Sequence, residues 1–136
     1  MTKIILTAMV LATFLFLQTP AHASVSQVSF LNDIADAVSG ITEILNTADE
    51  HDSSTWPEAV SSFESLFIEI DSMELPEENT AMYDVLRYSS AQSVYCMILA
   101  LDESISAKER ESNISDGIQY LLVAAVILDN ASLVMD

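Results

Sequence analysis

Cysteine is almost missing from this sequence of 136 residues, which contains only Cys96. A single thiol cannot form a disulfide within the chain, so the fold has to be stabilised by packing of apolar side chains. Cys96 lies within the apolar run at 94–99. A thiol in such a run is typical of a small core residue rather than of a nucleophile, and we therefore expect it to be buried.

Glycine and proline are also scarce, with two and three residues. Both residue types mark turns, so their scarcity favours long helices, and the alternating pattern of strands is almost absent. Four segments instead carry apolar residues at the three- and four-residue spacing of a helix with one buried face. These segments cover about residues 26–48, 56–75, 76–104 and 106–132.

Positive charge is the third deficit, because four Lys and Arg residues stand against 21 Asp and Glu residues, a net charge of −17. A field of this sign repels nucleic acid and anionic lipid, so we expect no nucleic-acid partner, and it attracts a basic protein. Acidic side chains also keep a protein dispersed in solution. Solubility is therefore an alternative reason for the acidity.

The N-terminal segment has almost no charge. A single lysine, Lys3, precedes an apolar run at 4–17, and Ala21 and Ala23 then form an A-x-A pattern. This is the pattern of a cleaved secretory signal peptide. A membrane anchor is the alternative, but the run is shorter than the ~20 residues that span a bilayer as a helix.

We therefore predict a signal peptide at 1–23 and an acidic α-helical domain at 24–136, located in the periplasm or secreted. Loss of Lys3 with the signal peptide leaves three positive residues against 21 acidic ones, a net charge of −18. The later apolar run at 118–128 is too short for a membrane span, so we expect no stable membrane insertion after cleavage.

Four helices joined by short connectors predict an all-α fold. Short connectors make neighbouring helices antiparallel, so we expect a four-helix up-down-up-down bundle or two stacked helical hairpins. The third segment has two apolar faces, which places it at the centre, and its small residues at 89–93 permit close helix approach or line a small cavity. Thr55 with Glu58, and Ser106 with Glu109, form two capping boxes at helix starts.

Side chains for catalysis or for a cofactor are few. His51 is the only histidine after residue 23, and it lies in a connector with Asp49, Glu50 and Asp52. These four are weak metal candidates, but the connector lacks the glycine and ligand spacing of a calcium loop, which favours a solvated turn. No Glu-x-x-His motif for a di-iron site and no helical histidine for haem is present. We predict no catalytic residue, no cofactor and no enzymatic activity.

The chain is small, acidic and predicted to be exported, and it has no recognisable set of catalytic residues. These features predict a non-enzymatic binding protein with a basic protein partner. A specific form would be an inhibitor or immunity-type protein for a basic toxin or cell-wall hydrolase. Trp56 and Ile68 are candidate apolar anchors at the contact. Glu64, Glu69 and Asp71 are candidates for electrostatic steering.

Two alternatives stay open. A small-molecule or metal carrier would use a cavity beside Ser89, Ser93 and Tyr95, or the acidic cluster at 49–52. A homodimer would complete the core of a helical hairpin pair with a second copy.

Asp84 lies one helical turn before Arg87, which predicts an ion pair on the helix surface.

Overall fold

A computed structural model describes residues 25–78 and 80–135, with side chains up to Ala131. This part of the chain forms four α-helices: α1 (Val25–Thr47), α2 (Trp56–Asp71), α3 (Thr80–Ala100) and α4 (Ala107–Met135), with a short 3₁₀ turn at Ser53–Thr55. No β-strand occurs within these two described ranges. The all-α prediction is confirmed there, whereas the predicted signal peptide lies outside the described residues.

Helix α3 is the central element, since it packs against each of the other three helices. Its Tyr83 ring meets Phe30 of α1 in a T-shaped contact, with 5.2 Å between ring centroids. The predicted central position of this helix is therefore confirmed. Large side chains from all four helices are fully buried in one core, among them Ile34, Ile41, Phe63, Ile70, Tyr83, Leu86, Met97 and Leu121.

The backbones of α3 and α4 approach closely at Gly117. The Ser93 hydroxyl donates a hydrogen bond to the Gly117 carbonyl oxygen at 2.8 Å. A Cβ atom at Gly117 would lie 2.9 Å from Met97 Cε and 3.2 Å from Cys96 Cβ. Cys96 is buried as predicted, and burial, with a smaller contribution from Asp116, raises the pKa of its thiol. Its location and its pKa both argue for a packing role.

The start of α4 has the predicted capping box. The Ser106 backbone N–H donates to Glu109 Oε2 at 3.1 Å, and the Glu109 N–H donates to Ser106 Oγ at 3.1 Å. Two N–H groups that a helix start leaves without partners are thus satisfied reciprocally.

The capping box predicted at Thr55 is wrong. Thr55 has right-handed helical backbone angles, at the end of the 3₁₀ turn, and its side chain makes no cap hydrogen bond. An N-cap side chain instead requires an extended backbone to reach the first turn. The Thr55 hydroxyl accepts from the Asp49 N–H and donates to the Asp52 carbonyl, both at 2.8 Å. It therefore stabilises the connector rather than α2.

The link between α2 and α3 is longer than predicted, because α2 ends at Asp71 and α3 begins at Thr80. Arg87 of α3 donates a hydrogen bond to the Met73 carbonyl oxygen of this link at 2.9 Å. The same guanidinium forms the predicted ion pair with Asp84, with 2.9 Å between Nη2 and Oδ1. Arg87 thus satisfies a backbone carbonyl that a continuous helix would have paired internally.

Among the described residues, one helical stretch, Ala107–Ala131, is long and apolar enough to cross a membrane. Within its most apolar segment of 18 residues, 44% is buried inside the protein. A core helix of a soluble protein has the same length and composition. Its outer side carries exposed Leu122, Val123 and Val126.

Candidate functional site

A pocket of about 420 Å³ lies where the connector after α1 meets the end of α3 and the start of α4. Its volume falls within the range of roughly 300–1,000 Å³ that is typical of small-molecule sites. All four helices and the connector contribute to the walls, which consist of Thr42, Leu45, Asn46, Thr47, Ala48, Asp49, Glu50, His51, Trp56, Ala100, Leu101, Arg110 and Ile114.

Trp56 forms one wall of this pocket and is only 7% exposed. Its indole Nε1 donates a hydrogen bond to the Asp49 carbonyl oxygen at 2.8 Å. The Arg110 guanidinium lies over the ring, 4.6 Å from the ring centroid, in cation–π geometry. Trp56 thus connects the loop after α1 to the first turn of α4.

Arg110 is held at the pocket by backbone oxygens as well as by the indole. Its Nε donates to the Ala100 carbonyl at 2.9 Å, and its Nη2 donates to the Asp102 carbonyl at 3.1 Å. These oxygens belong to the end of α3 and the turn after it, where carbonyls lack helical partners and a cation is favourable. Among the described residues, the only ion pair is Arg87 with Asp84, so Arg110 has no carboxylate at bonding distance.

The Asp102 carboxylate is engaged elsewhere. Its Oδ1 accepts hydrogen bonds from the Ser104 N–H at 2.8 Å and from the Ser104 hydroxyl at 2.7 Å. These bonds lower the pKa of Asp102 below its usual value, and the positive charge of Arg110 adds a smaller effect in the same direction. Arg110 therefore acts on Asp102 through space, while its direct contact is with the main chain.

Thr42 is a buried polar residue in the pocket wall that sequence reasoning missed. It is 5% exposed, and its Oγ1 has no hydrogen-bond partner among the described groups. A buried hydroxyl without a partner carries a desolvation cost of about 1–3 kcal/mol, so such groups are rare in folded proteins. In the sequence, only its position four residues after Val38, on the apolar face of α1, indicates that Thr42 is buried.

The four metal candidates are exposed, and they do not act as one group. Asp49, Glu50 and His51 line the pocket, and Asp49 Oδ1 accepts from the His51 N–H at 2.9 Å. Asp52 Oδ1 accepts from the Ser54 N–H and hydroxyl, which lowers the pKa of Asp52. No cluster of three or more histidine, cysteine or acidic residues suited to a metal ion is found in the described ranges 25–78 and 80–135.

The residues predicted to contact a partner occupy two separate places. Trp56 is buried at the pocket, while Ile68 on α2 is 67% exposed. Glu64 and Asp71 lie four residues before and three residues after Ile68, so they are its neighbours on the same helix face, and Glu69 is next to it in sequence. All three acidic residues are exposed.

The three α3 residues predicted to lie beside a cavity, Ser89, Ser93 and Tyr95, differ in burial. Ser89 and Ser93 are buried, whereas Tyr95 is 46% exposed. The Tyr95 ring lies beside Phe67 of α2, with 6.4 Å between ring centroids, and the Ser93 hydroxyl is bonded to Gly117. These side chains therefore face different environments.

The sequence matches no protein-family model, and it has no significant similarity to any curated protein or solved structure.

Proposed function

We propose that this protein is an exported, non-enzymatic binding protein that contacts a basic protein partner through the outer face of α2. The observation that carries the proposal is Ile68, a large aliphatic side chain that is 67% exposed and flanked by the exposed carboxylates of Glu64, Glu69 and Asp71. We call these four residues the α2 face.

The α2 face has the composition of a protein contact site. An apolar anchor supplies buried area when a partner binds, and a charged surround selects the partner and accelerates encounter. Within the described part of the chain, the carboxylates of the α2 face form no ion pair, so their charge is available to a cation on another protein. A basic toxin or cell-wall hydrolase, neutralised by an inhibitor or immunity-type protein, has the complementary charge.

The proposal includes two further expectations from the sequence. Residues 1–23 direct export, and neighbouring helices run in opposite directions. Short connectors favour alternating helix directions, as in an up-down-up-down bundle or two stacked hairpins, and such packing would hold the α2 face rigid. A second copy of the chain is a further possible partner, and light scattering reports its presence.

Binding kinetics test the proposal. The protein is immobilised and exposed to a panel of basic cell-wall hydrolases at low and at physiological salt. The double variant Glu64→Gln with Asp71→Asn is expected to lower the association rate at low salt by about tenfold, because steering is electrostatic. Ile68→Ser is expected to accelerate dissociation, because it removes the anchor.

The matched control is Asp33→Asn with Asp36→Asn, which removes the same charge from exposed positions on α1. Equal loss of association rate in both double variants would show that only net charge matters and would contradict a site on α2. Failure of every basic hydrolase to bind at low salt, where attraction is strongest, would overturn the proposal.

Carriage of a small molecule is the second candidate function, and the pocket next to Trp56 is the observation in its favour. A metal cargo has less support, since the Asp49 and Asp52 side chains accept hydrogen bonds from the connector itself. Native mass spectrometry of the protein purified from its own source tests carriage, because a retained adduct supports it and an unmodified mass contradicts it.

A further inference from the structure

We infer that the pocket binds a small organic carboxylate with an apolar body, held by Arg110. This inference rests on the second candidate function, carriage, and is independent of the α2 face. Three observations carry it: a cation without a carboxylate partner, an apolar wall in the same pocket, and a volume typical of small-molecule sites. The apolar wall consists of Leu45, Ala48, Trp56, Ala100, Leu101 and Ile114.

Among the described residues of the pocket wall, Arg110 is the only arginine or lysine. After residue 23 the chain has just two other positive residues: Arg87, which is paired with Asp84, and Lys108, which is exposed. A guanidinium has five N–H donors, and Arg110 uses two of them on backbone carbonyls. Its planar group is already held by Trp56, so little conformational entropy is lost when the remaining donors bind a carboxylate.

Arg110 supplies the polar contact in a mostly apolar lining. Pockets for small molecules generally combine such a lining with a few polar groups. Thr42 also lines the pocket, but neighbouring atoms close off its hydroxyl oxygen, so it is not a ligand contact. Arg110 is thus expected to define the orientation of the ligand.

The charge at the rim restricts the ligand further. Asp49 and Glu50 line the same pocket as Arg110, and their negative charge opposes polyanions such as nucleotides. A single carboxylate with a neutral apolar body meets the cation with the least repulsion. The pocket volume of about 420 Å³ is in the range typical of small-molecule sites, which suits a ligand of this kind.

Fluorescence of Trp56, the only tryptophan in the chain, measures binding directly. The full-length protein is titrated with hexanoate and phenylacetate, with the corresponding neutral amides, and with hexylamine as a cation. We expect saturable fluorescence changes with the carboxylates, and affinity at least about tenfold weaker for the amides, because they lack the charge-assisted bond.

Arg110→Gln is the decisive variant. It removes the guanidinium from the pocket wall, and we expect it to abolish carboxylate binding. Arg87→Gln, which removes the same charge outside the pocket wall, is expected to leave the carboxylate affinity unchanged. If Arg110→Gln does not fold, the comparison of carboxylates with amides on the unsubstituted protein tests the same contact.

Several outcomes overturn the inference. Equal affinity for carboxylates and amides, or full carboxylate affinity in folded Arg110→Gln, excludes the proposed contact. Preferential binding of hexylamine overturns the ligand class but retains carriage. Absence of binding by every probe, together with an unmodified native mass, removes carriage itself.

Discussion

Gly40 and Gly117 look alike in sequence, because each interrupts a helix where alanine would be more favourable by about 1 kcal/mol. Their surroundings differ. A Cβ atom at Gly40 would meet only the Leu66 side chain, at 3.7 and 3.9 Å, which is ordinary contact. A Cβ atom at Gly117 would lie 3.3 Å from the Ser93 backbone oxygen and 2.9 Å from Met97 Cε. Only at Gly117 would a Cβ atom crowd a backbone atom of a neighbouring helix, the Ser93 carbonyl oxygen.

Alanine substitutions at the two glycines should therefore have opposite effects on stability. We expect Gly117→Ala to lower the free energy of unfolding by about 1–3 kcal/mol, because the packed α3–α4 contact has to shift. Gly40→Ala, the matched control, should raise it by about 0.4–1 kcal/mol, because the unfolded chain loses entropy. Urea denaturation followed by circular dichroism measures both. Stabilisation by Gly117→Ala would show that α3 and α4 are less tightly packed than described.

At the scale of the elements, helix starts were predictable where all of the information was local. Ser106 and Glu109 form the capping box that their spacing indicates. Thr55 and Glu58 have the same spacing, yet a 3₁₀ turn precedes α2 and directs the Thr55 hydroxyl into the connector. The difference depends on the Asp49 and Asp52 backbone groups, which the capping pattern does not include.

Glu58 and Glu109 occupy equivalent positions in the first turns of α2 and α4, yet they should contribute differently to the free energy of unfolding. Glu109→Ala is expected to cost about 0.5–1 kcal/mol more than Glu58→Ala, since both lose a favourable interaction with the helix dipole but only Glu109 also loses a hydrogen bond. The free energy of unfolding of each variant in urea provides the measurement. An equal cost, or a larger cost for Glu58→Ala, would contradict the capping geometry.

The end of α2 was predicted too late, and the reason is visible in the core. Met73 and Leu75 follow Asp71 in the link and pack against the buried cluster as partly buried side chains. Their spacing therefore continues the apolar pattern of α2 although the backbone is no longer helical. Hydrophobic periodicity reports burial, and here a non-helical link supplies buried residues as well.

At the scale of the whole molecule, charge is the dominant feature. The chain has a net charge of −17, and Arg87 with Asp84 is the only ion pair among its described residues. Most carboxylates in this part of the chain therefore have no neighbouring cation that neutralises their charge. Repulsion between like charges destabilises a compact state, and dissolved salt screens it.

Added salt should accordingly stabilise the protein. We expect the melting temperature to rise by about 4 °C or more between 20 mM and 300 mM NaCl, which corresponds to about 1 kcal/mol. A variant in which four exposed acids are replaced by amides should show a smaller rise: Asp33→Asn, Asp36→Asn, Glu64→Gln and Glu69→Gln. Thermal melts followed by circular dichroism test this, and a salt-independent melting temperature would refute it.

Local pattern was sufficient for the helical class, the central position of α3, the Ser106 cap and the pairing of Asp84 with Arg87. Each depends on residues within a few turns of one another, where spacing fixes geometry. The pocket required the folded chain, since Thr42, Trp56 and Arg110 come from three different helices. Neither the stacking of Arg110 on Trp56 nor the missing partner of Thr42 has a signature in sequence, because packing between distant segments creates both.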